Sequence, residues 1–313
     1  MERDPTETDP MEKDRMEKDL SRATGTVKLI GFALLAFAIT TLAGGIWTGL
    51  LVTNLRTTPA VPWSVPAMAL PLWLAWSYLG GKGWPRSTSE ARRHYLRANP
   101  NPVRVYLWAW IAGGLAVIAL AGYWIALFQL VKMPPNAFSD VSAYPRFTVG
   151  LMILMGSVVA PLMEEAGFRG YFQVALERQF RAPVAVVISS LVFTLAHGPT
   201  QGFLWPKLLF YFLVGIVFGA TAYFTNSILP AIPVHFVGLL IFFTLIWPQD
   251  AARPLVADKG PDRWFWIHIA QAILFTMLSL WAFRRLGRLN VTADILFAKA
   301  DSKVSSRTDG IVV

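Results

Sequence analysis

Runs of about 20 apolar residues recur along the chain, and they restrict the fold more than any other feature. A helix needs a run of about this length to cross the hydrocarbon core of a bilayer. The chain is 55% hydrophobic and its mean hydropathy is +0.47, far above a soluble composition. We therefore predict an all-α, polytopic membrane helical bundle. Its approximately eight transmembrane helices are Leu29–Val52, Val61–Leu79, Val105–Val131, Phe147–Met163, Val184–His197, Phe203–Phe224, Ile228–Trp247 and Trp264–Phe283.

The net charge of +9 invites a nucleic-acid interpretation, but the placement of the basic residues favours a membrane protein. With eight spans, most lysines and arginines fall on one side, in both terminal segments, in the loop after the second span and in the turn after the fourth. Cytoplasmic segments carry such an excess, so we predict a cell-membrane protein with both termini in the cytoplasm. A basic rim facing anionic membrane lipid accounts for the charge without a nucleic-acid partner.

The polar segments at the two ends and the missing cysteines bound the organisation of the chain. The first 22 residues are polar throughout, unlike a cleavable signal peptide, and zero cysteines exclude disulfides and thiol catalysis. High charge with little hydrophobicity predicts a disordered tail at the N-terminus. The predicted regions are this tail (1–26), transmembrane helices with a basic loop (27–145), a transmembrane module holding the candidate site (146–247), and a last transmembrane helix with a polar cytoplasmic tail (248–313).

Ionisable side chains within the apolar runs are concentrated in one third of the chain. The first three runs contain no Asp, Glu, Lys, Arg or His. An ionised group at the bilayer centre costs about 2.5–3.5 kcal/mol on insertion scales, so such groups are retained mainly for function. The acids and histidines between residues 147 and 247 are Glu164, Glu165, Glu177, His197 and His235.

The first candidate cluster is the segment EEAGFR. On a helix, Glu165 and Arg169 are four residues apart and can form an ion pair on one face. Glu164 lies about 100° further round the helix and is left without that partner. A carboxylate in that position is a natural general base for water. The alternative is structural, with both acids serving only to neutralise Arg169 and to bind neighbouring helices.

The second and third clusters each supply a histidine. In FTLAH, Phe193 is four residues before His197, so its ring can pack on the imidazole, and Gly198–Pro199 is expected to end the helix. In NSILPAIPVH, Asn226 or Ser227 is expected near the start of the helix that carries His235. Taken alone, each histidine could equally be a hydrogen-bonded structural residue.

Helix lengths predict that the first two clusters meet. The charged residues before Pro183 indicate a turn near Ala182 between two antiparallel helices. Glu164 lies 18 residues before Ala182 and His197 lies 15 residues after it. At about 1.5 Å per residue the two arms are nearly equal, so Glu164 and His197 should lie at similar heights. His235 can join them from a third helix, which would complete a site able to activate water.

The three segments resemble, in order and spacing, the EExxxR, FxxxH and HxxxN signatures of the CPBP family of CAAX-prenyl and bacteriocin-processing (Abi-like) intramembrane endopeptidases. The resemblance covers about Met152–Phe243. It implies a metal-free glutamate mechanism in which Glu164 is the base and His197 its partner. It also implies that Arg169 orients the acids and that His235 is an oxyanion donor. Glu165 and Phe193 are supporting residues.

One position departs from the family pattern, because Leu239 stands where the family has a polar Asn four residues after the last histidine. An oxyanion donor contributes roughly 2.7–4 kcal/mol, a factor of about 100–1000 in rate. Either another donor replaces the Asn, with Asn226, Thr194 or a backbone amide as candidates, or this copy is slow or inactive. The difference concerns catalysis and leaves the predicted fold unaffected.

The leading prediction is an intramembrane endopeptidase that acts on a membrane-associated peptide or protein, with or without a lipid attached, and needs no cofactor. One variant is a zinc protease, with Glu164, His197 and His235 as the ligands of an open site, although the HExxH spacing is absent. The alternative from another class is a non-catalytic immunity or scaffold protein with the same fold. A transporter is a weaker alternative, since no inverted repeat is visible in the sequence.

Overall fold

The computed structural model describes the backbone of residues 10–132 and 141–308, and the side chains of residues 23–132, 141, 143–250 and 253–289. The described residues form helices joined by short connections, without a β-strand among them. This confirms the predicted all-α class. The α-helices are α1 (Pro10–Thr57), α2 (Ser64–Leu79), α3 (Ser89–Leu96), α4 (Val103–Leu130), α5 (Arg146–Glu164), α6 (Gln173–Glu177), α7 (Ala182–Gln201), α8 (Trp205–Thr225), α9 (Ala231–Ile241), α10 (Val256–Lys259) and α11 (Arg263–Thr308).

Seven stretches of the described residues are long and apolar enough to cross a membrane, one fewer than the sequence predicts. The difference is α2, whose 16 residues span about 24 Å, less than the roughly 30 Å hydrocarbon core. At its start, the Asn54 side chain accepts a hydrogen bond from the Ser64 amide (2.9 Å). At its end, the Leu79 carbonyl accepts one from the Tyr171 hydroxyl (3.0 Å). Helix α2 therefore lies beside α1 and runs in the opposite direction. It brings the chain back towards the end of the bundle where the apolar part of α1 begins.

The two terminal tails differ from the sequence prediction within the described residues. Helix α1 already begins at Pro10, so residues 10–26, predicted to be disordered, form its first turns, and residues 1–9 lie outside the described part. Helix α11 likewise continues past Phe283 to Thr308. Once a helix is nucleated, each further residue adds a hydrogen bond at little extra cost, so a polar sequence can extend an apolar helix.

The two helices that carry the first two motifs are longer than predicted. The fourth predicted span is Phe147–Met163, from the apolar run alone. In the structure the corresponding span covers Arg146–Glu177. The expectation that Gly198–Pro199 ends the next helix is wrong, because α7 continues to Gln201 with Pro199 inside it. A proline there removes one hydrogen bond in the last turn only, and Gly202, at φ 83°, ends the helix.

A buried ion pair ties together one end of the bundle, which we call the basic end and define by Arg97, Glu177 and Asn226. Arg97 contacts both carboxylate oxygens of Glu177 at 3.0 Å, and its Nε donates to Asn226 Oδ1 (3.1 Å). Asn226 has φ 45° and caps the C-terminus of α8. Helix α9 begins at Ala231 without a side-chain cap, so neither Asn226 nor Ser227, the two predicted residues, caps it. The Ile228 amide also donates to the Arg97 carbonyl (3.0 Å), which anchors the turn that leads to His235.

Both long terminal helices pass the same basic end. The Gly25 carbonyl of α1 accepts a hydrogen bond from Gln179 (3.3 Å), two residues beyond Glu177. Gly287 of α11 lies so close to α8 that a Cβ there would be 3.2 Å from the ring of Phe224. The apolar parts of α1 and α11 thus begin and finish at one end of the bundle, while their side of the membrane stays a prediction.

The other end of the bundle is held by a buried acid. Asp250 Oδ2 accepts a hydrogen bond from the Trp124 indole (2.8 Å), and Asp250 Oδ1 accepts one from Arg253 Nε (3.1 Å). These contacts join the segment that follows α9 to α4. The helix that carries His235 is therefore fixed at both ends, by the Arg97 cluster and by Asp250.

Candidate active site

The two adjacent glutamates lie where the α-helix changes into a π-helix. Helix α5 ends at Glu164, and Glu165–Phe172 is π-helical. Each amide in a π-helix bonds to the carbonyl five residues back, and such segments are frequent at functional sites. Gly167 and Gly170 allow the backbones of neighbouring helices to come close. A Cβ at Gly167 would lie 3.0 Å from the Ala36 carbonyl oxygen, and a Cβ at Gly170 would lie 2.9 Å from the Leu96 carbonyl oxygen. The wider turn is thereby packed on α1 and α3.

Glu164 lies between the two motif histidines. Its Oε1 is 3.8 Å from His197 Nε2, and its Oε2 is 3.7 Å from His235 Nε2. The equal-arm argument for Glu164 and His197 therefore agrees with the observed geometry. The structure also brings in His235 from α9, so the three predicted residues share one site.

His197 is oriented by the motif phenylalanine and by a residue outside the motifs. Its Nδ1 lies 2.8 Å from the carbonyl of Phe193, one turn earlier, and its ring is 4.4 Å from the Phe193 ring. A hydrogen on Nδ1 that donates to this carbonyl leaves Nε2, the atom facing Glu164, as an acceptor. The other face of the imidazole stacks on Tyr211 of α8 at 4.3 Å.

His235, like His197, is held by a stacked aromatic ring of α8 and by a polar contact of its Nδ1. Its ring stacks on Phe218 of α8 at 4.4 Å, with an interplanar angle of 19°. Its Nδ1 lies 3.0 Å from Glu165 Oε1. The two glutamates therefore contact opposite nitrogens of one imidazole, Glu165 at Nδ1 and Glu164 at Nε2.

Glu165 and Arg169 form the buried ion pair that the helix spacing predicts. Arg169 Nη1 is 3.6 Å from Glu165 Oε1, and the exposed fractions of the two side chains are 1% and 0%. The guanidinium carbon also lies 4.1 Å from the centre of the Phe193 ring, a cation–π contact. Among the described residues, neither Nη atom of Arg169 has a hydrogen-bond acceptor. The charge of Arg169 is thus balanced by Glu165 and by the faces of aromatic rings.

Exposure separates the five charged or ionisable residues of the site into two groups. Glu164 and His197 remain 16% and 18% exposed, whereas Glu165, Arg169 and His235 are almost completely buried. Glu164 and His197 are therefore the most accessible to water or substrate, and among the other three His235 keeps the largest exposed fraction, 6%. The atoms of Glu164 and His197 that face each other are both hydrogen-bond acceptors, an arrangement that suits a molecule with two O–H donors.

Sequence reasoning missed Tyr211 and Phe218, the two aromatic residues of α8 that stack on the histidines. The two residues are seven apart, which places them on one face of a helix, and this spacing was the available signal. An apolar helix offers many such pairs, so the spacing alone could not have selected this one.

The candidates for replacing the missing oxyanion Asn are engaged elsewhere. The Asn226 side chain accepts from Arg97 at the basic end, and the Thr194 hydroxyl donates to the Ser190 carbonyl (2.7 Å). Neither candidate gains support from this arrangement, and both stay predictions. Leu239 lies half-buried on α9, one turn after His235. A backbone amide stays open as a donor, and Tyr211 adds a hydroxyl that the sequence did not suggest.

The described part of the chain contains no group of three or more His, Cys, Asp or Glu side chains arranged to hold a metal ion. A catalytic zinc needs its protein ligands about 2.0–2.2 Å from one point. Glu164 here turns a different oxygen towards each imidazole. The zinc variant thus gains no support from the geometry and stays a prediction.

The fold and the site together define a multi-pass membrane protein with a buried carboxylate–histidine centre. Residues 146–241 match the family model described as Rce1-like, type II CAAX prenyl endopeptidase Rce1-like. The match contains all three motifs, and it confirms the resemblance to the CAAX protease family over this segment. No curated protein and no solved structure matched the chain.

Proposed function

We propose that this protein is an intramembrane endopeptidase that uses Glu164 to activate water. One observation carries the proposal: the partly exposed Glu164 carboxylate faces Nε2 of both His197 and His235, at 3.8 Å and 3.7 Å. The type II CAAX endopeptidase match supports a protease class for the segment that holds these residues. No cofactor is required by this mechanism.

In the first step, a water molecule between Glu164 and His197 donates one hydrogen bond to the carboxylate and one to Nε2. Glu164 takes a proton as the water oxygen attacks the peptide carbonyl carbon, which gives a tetrahedral intermediate with a negatively charged oxygen. The contact of His197 Nδ1 with the Phe193 carbonyl keeps Nε2 available as the acceptor. Glu164 then returns the proton to the amide nitrogen, and the carbon–nitrogen bond breaks.

His235 is the candidate donor to the charged oxygen. Its Nδ1 donates to Glu165, so Nε2 carries a second hydrogen only when the ring is doubly protonated. Glu165 and Arg169 are too deeply buried to contact substrate, and their role is to hold His235 in position. The Tyr211 hydroxyl is a second candidate donor because its ring stacks on His197 beside Glu164.

The substrate class is a peptide or protein segment that reaches the site through the membrane or from the cytoplasm. A lipidated tail is one possibility within that class, and a bacteriocin-like or other membrane peptide is another. We infer a location in the cell membrane with both termini cytoplasmic, because most Lys and Arg flank one side of the spans. Membrane lipid is the expected surrounding partner.

The test compares membrane peptides in cells that lack the protein and are complemented with wild type, Glu164→Gln, His197→Ala or Glu90→Gln. Glu90 is an exposed carboxylate on α3 and serves as the matched control. Wild type and the control should release the same cleavage products, and the two site variants should release none at equal protein levels in the membrane. Products from Glu164→Gln cells would contradict the mechanism.

A non-catalytic scaffold protein is the second candidate, and Leu239 favours it, since the family's usual amide donor is missing. In that case Glu164→Gln would leave the cellular phenotype intact. The zinc variant is separated by the purified protein: chelator should leave hydrolysis unchanged under the metal-free mechanism, whereas loss with chelator and recovery with zinc would require a metal.

A further inference from the structure

A large apolar cavity lies between α4, α8 and α11, away from the candidate active site. Its volume is about 990 Å³, at the upper end of the roughly 300–1,000 Å³ of ligand pockets. On α11 its walls extend from Thr276 to Arg288, a length of about 18 Å at 1.5 Å per residue. We call this cavity the α8 slot. It is long enough along the helix axes, and apolar enough, to suit a hydrocarbon chain.

The slot exists because small residues line it where larger ones would fill it. Ala116 and Ala119 of α4 face Ala220 of α8, and Leu280 and Phe283 of α11 complete the apolar walls. Elsewhere α4 and α11 are in close contact, since a Cβ on Gly122 would lie 2.8 Å from the His268 carbonyl. Helices α4 and α11 are therefore in close contact near Gly122. Nearer the basic end the side chains of Ala116 and Ala119 are small, which leaves the slot open between the two helices.

Arginines surround the slot at the basic end. Arg284 and Arg288 line the slot itself. A second cavity of about 400 Å³ adjoins it and is lined by Arg104, Arg285 and Arg288, with Trp108 beside them. The two cavities share Arg288 as a lining residue, so the basic cavity is a direct neighbour of the apolar one. Tryptophan at this level is typical of the headgroup region of a bilayer.

Three of the arginines at the basic end have no acidic partner within the described structure. Helices α4 and α8 and the 263–289 part of α11 contain no Asp or Glu. Arg104, Arg284 and Arg285 form no ion pair with any described residue, and Arg285 instead lies over the ring of Trp281, 5.6 Å from its centre. Clustered cations next to an apolar cavity are complementary to a molecule with an anionic head and an apolar tail.

Helix α8 separates the slot from the candidate active site. Tyr211 and Phe218, which stack on the histidines, lie on one face of α8, whereas Leu213 and Ala220 line the slot. Each slot residue is two positions after a site residue, about 200° round the helix. The slot is therefore a separate site that shares one wall with the catalytic one.

We propose that the α8 slot binds one anionic phospholipid of the surrounding membrane. An acyl chain occupies the space between Ala119, Ala220 and Leu280, and the phosphate is bound by Arg104 and Arg285. Arginine suits this role because its planar group donates two parallel hydrogen bonds to phosphate. The proposal depends on the geometry of α4, α8 and α11 and does not require that the protein be a protease.

Native mass spectrometry of the full-length protein in detergent tests the proposal by titration with phosphatidylglycerol and, separately, phosphatidylcholine. Wild type should retain one phosphatidylglycerol and prefer it to phosphatidylcholine. Arg104→Gln/Arg285→Gln should weaken phosphatidylglycerol binding about tenfold, because two charge-assisted contacts are lost. Ala220→Phe should weaken both lipids, because the ring fills the slot.

Arg86→Gln/Arg93→Gln is the matched control, since both residues are exposed arginines near the basic end but outside the two cavities. Equal loss of phosphatidylglycerol in this control and in the test pair would overturn the site. Equal binding of the two lipids would overturn the headgroup assignment. Binding of dihexanoyl-phosphatidylglycerol or inorganic phosphate as tight as that of the long-chain lipid would overturn the acyl-chain assignment. Displacement of the lipid by a farnesylated peptide would assign the slot to a prenyl chain instead. If Ala220→Phe does not fold, the comparison of Arg104→Gln/Arg285→Gln with the control pair still tests whether the slot binds the lipid.

Discussion

The two faces of helix α8 show two ways in which a membrane helix is used. One face presents Tyr211 and Phe218 to a group of buried ionisable residues, whose charges are paired within the protein. The other face presents small apolar residues such as Ala220 to the α8 slot. The charged residues of that slot are arginines at the basic end. Buried charge is costly in lipid unless it is paired, whereas arginines at the membrane surface can remain solvated. The first face is therefore a rigid, specific site and the second suits an abundant amphiphile.

The largest effect that distinguishes the faces is expected from Glu164→Gln. Loss of a general base lowers a reaction rate by about 10²–10⁴-fold, so peptide hydrolysis should nearly vanish. Binding of phosphatidylglycerol to the α8 slot should stay at the wild-type level. Purified variants assayed with a substrate peptide and by native mass spectrometry give both readings, and Glu90→Gln should match wild type in each. A parallel loss of lipid binding would show that the two sites are coupled.

The next effect concerns stability on the charged face. Glu165→Gln leaves the Arg169 cation buried without its carboxylate, which costs about 3–5 kcal/mol for a buried pair. The double variant Glu165→Gln/Arg169→Met removes both charges and should recover much of this loss. Thermal unfolding in detergent measures the difference. If the single variant unfolds at the wild-type temperature, the pair does not stabilise the site.

A gain of activity is expected from Leu239→Asn, which restores the amide of the family pattern one turn after His235. An added oxyanion donor could raise the rate by up to about 100-fold. Leu239→Ala is the control, because it creates the same space without a donor. Equal rates for the two variants would mean that position 239 does not reach the reacting carbonyl.

The smallest effect is expected from Ala220→Phe, which should empty the slot of lipid but leave peptide hydrolysis within about twofold of wild type. Substitutions at separated sites usually act independently to within a few tenths of a kcal/mol. The rate with a detergent-solubilised peptide provides the measurement. A large fall in rate would reveal that filling the slot shifts α8 and with it Tyr211 and Phe218.

The sequence predicted the residues of the charged face better than it predicted the backbone geometry around them. Equal helix arms placed Glu164 beside His197, and i, i+4 spacing paired Glu165 with Arg169. Both predictions assume regular helix geometry, and both contacts form although Glu165–Phe172 is π-helical. The π-helical turn, the Asn226 cap and the continuation of α7 past Pro199 were missed. Each of these departs from regular geometry in response to neighbouring helices. A single sequence does not display those neighbours.

Apolar run length and ionisable residues thus determined by themselves that the chain is a helical membrane protein with chemistry near Glu164. They could do so because the cost of burying charge in lipid acts on every residue locally. Only the tertiary structure decided that Tyr211 and Phe218 support the histidines and that Arg97 anchors the turn before His235. The α8 slot likewise arises from three helices distant in sequence, since a cavity depends on the side chains that meet across it.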